Sequence, residues 1–309
     1  MLVPLLLLVL AIVVLFFGAE FSLDASEKVG KKIGLSPLAI GMLLVGFGTS
    51  LPEFFVGHIA GINGKMDIAI GSLVGSNVAN MFLILGFCGL FVNMKLDNIK
   101  LRHQFVVHFV LGLLLVWVLS QSHLNIYTAS PLILLAASYL LLLYKDLKDE
   151  KQVYEDDLSD FNPIKEVVKV FFGFGMLYLG GELLVKAGTD LCSILGISEY
   201  IVSAIFIAFG TSFPELVTSL LAAYKKKDTD LIIGNIIGSN LFNCALILGS
   251  LGIYDFKITA NYNFELSFLI AGSFVFILLN LLKIQFNKIV GIFFLLGYGT
   301  IVSSWLNLI

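Results

Sequence analysis

Apolar residues run along this chain in ten long blocks separated by short polar connections. A helix needs about 20 such residues to cross a bilayer. The blocks fall near 2–23, 37–61, 68–92, 103–121 and 126–145, then 164–186, 199–223, 231–253, 264–282 and 288–306. One extended hydrophilic stretch, Lys145 to Pro163, divides them five and five, and it carries Asp146, Asp149, Glu150, Glu155, Asp156, Asp157 and Asp160. The pattern predicts an all-α membrane protein of ten transmembrane helices. Residues 1–145 form a first five-helix unit, 146–163 an acidic linker and 164–309 a second five-helix unit. The first block begins without a basic flank and continues into Gly18-Ala19-Glu20, so it reads as a span rather than a cleaved signal.

The basic residues test that count. In a ten-span chain one face receives the connections after spans 1, 3, 5, 7 and 9. Those connections hold 16 of the 19 Lys and Arg, including Lys28, Lys31, Lys32, Arg102, Lys145, Lys225, Lys226 and Lys227. The opposite face has Lys65, Lys186 and Lys257. This bias marks the cytoplasmic side. It puts both termini outside the cell membrane and the acidic linker in the cytoplasm. The Lys225-Lys226-Lys227 run then reads as topology and not as a nucleic-acid surface.

Composition agrees. The chain is 58% hydrophobic and 13% charged, where a soluble domain has about 25% charged residues. Cys88, Cys192 and Cys244 are too far apart for a disulfide framework or a metal-ligand spacing.

The two halves repeat. Gly48-Thr49-Ser50-Leu51-Pro52-Glu53 returns as Gly210-Thr211-Ser212-Phe213-Pro214-Glu215. Gly71-Ser72-Leu73-Val74-Gly75-Ser76-Asn77-Val78-Ala79-Asn80 returns as Gly234-Asn235-Ile236-Ile237-Gly238-Ser239-Asn240-Leu241-Phe242-Asn243. Gly18-Ala19-Glu20 pairs with Gly180-Gly181-Glu182 in the same way. An odd number of spans per half makes the second half enter from the opposite side. The repeats are therefore inverted, the layout of alternating-access carriers with a site near the midplane.

Each motif places costly groups at depth. Pro52 and Pro214 lack an N–H and break spans 2 and 7, leaving a short unwound stretch before each. Glu53 and Glu215 sit in the first turn of the second half-helix, where the dipole favours a carboxylate. The carbonyls of Gly46, Thr49, Ala208 and Thr211 at the breaks need a partner where water is scarce. Ser72, Ser76 and Asn80 share one face of span 3, and Asn235, Ser239 and Asn243 share one face of span 8. Gly71, Gly75, Gly234 and Gly238 permit close helix approach. Carboxylates, amide oxygens, hydroxyls and carbonyls are a hard-oxygen set suited to Ca²⁺ or Na⁺ and not to zinc or copper. Taken singly, a proline reads as a kink and a Ser or Asn as interhelical glue. The paired recurrence is what points to an ion site.

These motifs resemble those of the sodium/calcium exchanger family of the cation/calcium exchanger superfamily, in its prokaryotic form. The two stretches correspond to its paired alpha-repeats, here 41–86 and 203–249, and the likeness covers the whole chain. The resemblance implies that Glu53 and Glu215 hold Ca²⁺ and compete for Na⁺, and that Asn80 and Asn243 complete the centre. It implies Na⁺ sites built from Ser50, Ser76, Ser212 and Ser239 with the carbonyls of Gly46, Thr49, Ala208 and Thr211. Some relatives carry aspartate where this chain has Asn243, which leaves two carboxylates and argues against potassium dependence. Two carboxylates balance one Ca²⁺ or two Na⁺, and a third Na⁺ would make the exchange electrogenic. The transported ions are substrates; no cofactor, nucleic acid or protein partner is expected beyond the lipid bilayer.

A Ca²⁺/H⁺ antiporter of the same fold is the alternative, since glutamates also take protons. An intramembrane enzyme and a cation channel are remoter ones. No intramembrane Asp pair or His-Glu-x-x-His supports the enzyme, and inverted repeats suit a carrier better than a channel. Glu20 and Glu182 are left between lining an access path and capping helix ends. His58 is expected to be packed or interfacial.

Overall fold

The computed structural model describes residues 2–64, 66–149, 154, 161–194 and 212–306. Helix α1 is Leu2–Ile33, and the second span is a bent pair, α2 (Pro37–Thr49) and α3 (Leu51–Ile62). Next come α4 (residues 66–91), α5 (Ile99–Leu119) and α6 (Ile126–Asp149). The second half contains α7 (Pro163–Ile194), α8 (Phe213–Tyr224), α9 (Thr229–Tyr254), α10 (Asn263–Leu281) and α11 (Lys288–Trp305). Helix α8 is the second half of span 7; the first half lies outside the described residues. Two short strands, β1 (His123–Leu124) and β2 (Phe256–Lys257), pair antiparallel and tie the two halves at one end.

Corresponding helices run in opposite directions. Gly18 of α1 lies against Gly173 and Leu177 of α7, while Leu15 meets Gly180 further along, so this pair is antiparallel. Asn80 meets Asn240 and Asn77 meets Cys244, so α4 and α9 are antiparallel as well. The inversion inferred from the odd span count is thus visible in the packing.

Helices α4 and α9 are enclosed nearly all round, whereas the peripheral spans expose large apolar side chains such as Leu6, Phe55, Trp117, Leu141 and Phe293. This is the distribution of a protein whose outer surface meets hydrocarbon. The apolar core divides in two. One large cluster joins α2 to α6 with α8 to α11; a small one of Leu15, Ala19, Phe174, Leu177 and Leu221 joins α1 and α7 to α8.

Two boundaries differ from the hydropathy reading. Helix α1 continues to Ile33, ten residues past the end of its apolar block. Its extension is held by ion pairs: Lys225 meets Glu20 (2.7 Å) and Asp24 (3.3 Å), and Lys227 meets Asp24 (3.3 Å) and Glu27 (2.5 Å). Charges at i, i+4 and i+7 lie on one helical face, so the polar segment stays helical against α8. Helix α6 likewise carries on to Asp149, into the stretch read as linker.

The close helix approach falls on one of the two glycine pairs. A Cβ on Gly234 would lie 2.4 Å from the Leu38 carbonyl oxygen, and one on Gly238 would lie 2.7 Å from Met42 Cα. Gly41 is equally tight against the backbone of Leu231, at 2.3 Å. Helices α2 and α9 therefore run parallel with their backbones almost in contact. A Cβ on Gly71 or Gly75 would meet no side chain or neighbouring helix closer than 3.9 Å among the described residues.

Candidate ion site

The break in span 2 is a single residue. Ser50 has φ −84° and ψ 1°, Pro52 occupies the first turn of α3, and the two halves bend by 41°. The unwound stretch expected from the sequence is shorter than supposed because the backbone closes over it. Ser50 N–H reaches the Gly46 carbonyl (3.2 Å) and Phe54 N–H reaches the Ser50 carbonyl (3.2 Å). Ahead of the break, Gly41–Gly46 is wound as π-helix, a wider turn often found at functional sites. The same winding occurs at Ala79–Ile84 in α4 and at Phe242–Ile247 in α9, the segments that carry Asn80 and Asn243. The second half of span 7 begins at Ser212, with φ −86° and ψ 2° and Pro214 in the first turn, the same start as α3.

These features bring the expected residues together at the centre. Glu53, Glu215, Asn80, Asn243, Ser50, Ser212, Ser76, Ser239 and Thr49 are all buried, with at most 3% exposure. Glu215 meets hydroxyls from the other half, and Glu53 meets a serine of its own half that is bonded in turn to the other half. Ser50 donates to Glu215 Oε1 (3.5 Å), and the hydroxyls of Thr49 and Ser239 also face that carboxylate. Ser76 donates to Glu53 Oε1 (3.2 Å) and accepts from Ser212 Oγ (2.9 Å). Ala208 and Thr211 lie outside the described residues.

The Gly46 carbonyl, expected to be in want of a partner, already has several. Besides Ser50 N–H it receives Thr49 Oγ1 (3.3 Å) and Ser239 Oγ (3.1 Å). Asn235 bridges the two halves one turn away. Its Nδ2 donates to Thr218 Oγ1 (3.2 Å) and Ser219 Oγ (2.9 Å), and its Oδ1 accepts from Thr49 (3.4 Å).

A buried polar atom normally finds a hydrogen-bond partner. Among the described residues, Glu215 Oε2, Asn80 Oδ1, Asn243 Oδ1 and Asn243 Nδ2 have none. They belong to one central cluster, and three of the four are oxygens with the lone pairs a hard cation needs. No three His, Cys, Asp or Glu side chains converge as a metal-binding group among the described residues. The donor set is therefore neutral oxygens around two carboxylates. An apolar cleft lined by Phe47, Leu51, Phe54, Phe242 and Leu246 reaches Ser50 from the side.

Two residues at the centre carry no role in the motif reading. Asn77 and Asn240, third in each Gly-Ser-Asn, sit one position off the polar stripe and so turn away from it. Asn77 Nδ2 donates to the Asn240 carbonyl (2.9 Å) and to Cys244 Sγ (2.9 Å). Asn240 Nδ2 reaches the Asn77 carbonyl (3.4 Å), which makes a reciprocal clasp between α4 and α9. The repetition of Asn in both copies was the available signal.

Glu20 is accounted for by Lys225, which makes it part of the tie between α1 and α8, and Glu182 is exposed. His58 is packed and paired, with Nδ1 at 3.1 Å from Tyr254 Oη and Nε2 at 3.1 Å from Ser250 Oγ.

Inverted five-span halves, broken helices and a buried hard-oxygen cluster define a membrane carrier for cations. The family model described as sodium/calcium exchanger protein matches residues 3–145 and 165–305, and the chain belongs to that family. It is an exchanger of the membrane and not an enzyme. The chain is 29% identical to the putative antiporter CaxA of Alkalimonas amylolytica, over 81% of this chain and 80% of that one. It is 26% identical to the sodium/calcium exchanger MaX1 of Methanosarcina acetivorans, over 81% and 82%. Among solved structures it superposes on the sodium-calcium exchanger NCX_Mj, soaked with Na⁺ and Ca²⁺, with a TM-score of 0.83 and 25% identity, covering 98% of each chain.

Proposed function

We propose that this chain is an electrogenic Na⁺/Ca²⁺ antiporter in which both ions compete for Glu53 and Glu215. The observation that carries the reading is that both buried carboxylates are wired to the opposite repeat: Glu215 directly through Ser50, and Glu53 through Ser76, which accepts from Ser212. Any relative movement of the halves then remakes the coordination sphere, which is what alternating access requires. Asn80 and Asn243 serve the central Ca²⁺, and Ser50, Ser76, Ser212 and Ser239 with the carbonyls of Gly46, Thr49, Ala208 and Thr211 serve Na⁺, the Gly46 carbonyl giving up its hydroxyl donors as the ion enters. An empty site would carry two buried negative charges and resist closing, because uncompensated buried charge is costly. Exchange is obligatory for that reason. Three Na⁺ against one Ca²⁺ moves one net charge, worth about 2.3 kcal/mol per 100 mV.

The small α1/α7 cluster supports a division of labour. Residues 1–145 and 164–309 supply the two halves of the ion site, while α1 and α7 pack on each other through glycines and move as a pair. The end bearing Lys28, Lys31, Lys225 and Lys227 faces the cytoplasm of a cell membrane.

The test is ⁴⁵Ca²⁺ uptake into vesicles loaded with Na⁺. Uptake that requires the outward Na⁺ gradient and accelerates with an inside-positive potential is expected for net charge movement opposite to Ca²⁺ entry by three Na⁺ leaving. Uptake driven by a pH gradient and indifferent to Na⁺ would replace this reading with Ca²⁺/H⁺ exchange.

A further inference from the structure

From Asn80 a buried chain of polar groups runs through three other helices. Asn80 Nδ2 donates to Asn240 Oδ1 (3.0 Å). Asn240 Nδ2 lies 2.9 Å from His108 Nε2 on α5, and His108 Nδ1 lies 2.7 Å from Ser273 Oγ on α10. Ser273 Oγ donates to the Leu269 carbonyl (2.6 Å). Every side chain in the series is buried, and His108 is the most exposed at 4%.

The chain has only one consistent direction. A serine hydroxyl has one proton, and that of Ser273 is spent on Leu269, so Ser273 must accept from His108 Nδ1–H. With its proton on Nδ1, His108 presents a bare Nε2 as an acceptor. Only the NH₂ side of Asn240 can fill it, and this turns the Asn240 oxygen towards Asn80. Asn80 must then offer its own NH₂ to Asn240, which leaves Asn80 Oδ1 aimed at the ion site. That oxygen has no partner among the described residues.

We infer that His108 is a positioning residue, which fixes through Asn240 which end of the Asn80 amide faces the cation. An amide is nearly symmetrical in shape, so nothing in packing alone stops it from turning over. A turned amide would present two N–H donors to a cation in place of a lone pair. The histidine tautomer supplies the missing discrimination, much as second-sphere groups orient metal ligands elsewhere. This inference rests on the proposed role of Asn80 as a Ca²⁺ ligand.

The test uses the intact protein in Na⁺-loaded vesicles and reads the half-saturating Ca²⁺ and the maximal rate separately. His108→Leu keeps the bulk but removes the acceptor. It is expected to raise half-saturating Ca²⁺ about tenfold with the maximal rate within twofold. His108→Gln restores an acceptor near the Nε2 position and should bring the value back to within threefold of wild type. In an Asn80→Ala background His108→Leu should add nothing, since residues acting through one group are not additive. Ser273→Ala frees the tautomer and should raise the value about threefold, which keeps the question open to measurement if His108→Leu fails to insert. Unchanged half-saturation in His108→Leu, or its full effect on top of Asn80→Ala, would overturn the relay alone. No effect of Asn80→Ala itself would overturn the ion-site reading and the relay with it.

Discussion

Replacing Glu215 by glutamine changes a charge and almost nothing else. The side chain is fully buried, and its Oε1 accepts from Ser50, a bond the amide oxygen can keep. What disappears is one of two negative charges at the centre. At an effective dielectric of about 20, a unit charge about 2.5 Å from a divalent cation contributes about 13 kcal/mol, and about 7 kcal/mol for a monovalent one. The amide dipole returns part of this, and the carboxylate's own desolvation cost vanishes with it. If a quarter of the Ca²⁺ figure survives, the loss is about 3 kcal/mol, more than a hundredfold in affinity. Ca²⁺ should suffer about twice the loss, in free energy, of each Na⁺. The assay is Na⁺-driven ⁴⁵Ca²⁺ uptake with Glu215→Gln and Glu53→Gln compared at equal reconstituted amounts. Both should be silent while eluting as folded protein. Na⁺-dependent flux within tenfold of wild type in both variants would refute the assignment of the two carboxylates.

Asn243→Asp adds a third carboxylate to the cluster and should lower half-saturating Ca²⁺; an unchanged value would place residue 243 outside the coordination sphere. Gly234→Ala forces a methyl to 2.4 Å from the Leu38 carbonyl oxygen, where only backbone can yield. It should cost about 1–3 kcal/mol as other overpacked sites do, read as a lower thermal midpoint in detergent, whereas Gly299→Ala, with open space around it, should leave the midpoint unmoved. Lys225→Met together with Lys227→Met releases Glu20, Asp24 and Glu27 on α1. Pairs this exposed give about 1 kcal/mol or less each, so the variant should lose the salt dependence of the thermal midpoint more clearly than the midpoint itself.

Much of this was legible in the chain because the costs are local. A proline followed by a glutamate inside an apolar run announces a broken helix and a buried charge wherever it occurs, and the second copy removes coincidence. The odd span count gave the inversion by arithmetic alone. What escaped depends on partners distant in sequence. His108 is an unremarkable histidine on an apolar helix until Asn240, 132 positions on, meets its ring. The reach of α1 to Ile33 could not be read from hydropathy, because the lysines that neutralise its acidic face lie 200 residues away. The Gly46 carbonyl was expected to need an ion, and the hydroxyl of Ser239, from the other half, already serves it.

Among the described residues the bridge made by Asn235 is found in one half only. Its hydroxyl partners Thr218 and Ser219 align with Val56 and Gly57 in the first repeat, and the position of Asn235 itself is taken there by Ser72. A carrier built from two identical inverted halves would exchange its inward-open and outward-open forms by swapping the roles of the halves, and the two forms would be equal in energy. Here the swap exchanges a rung with the Thr218 and Ser219 hydroxyls for one that has Val56 and Gly57 in their place, so the balance would be broken by the worth of those two bonds, about 1–2 kcal/mol. A gap of that size would leave between about five in six and thirty in thirty-one molecules waiting on the same side of the membrane. In a carrier of that kind a resting direction would follow from a difference of three side chains, none of which needs to touch an ion.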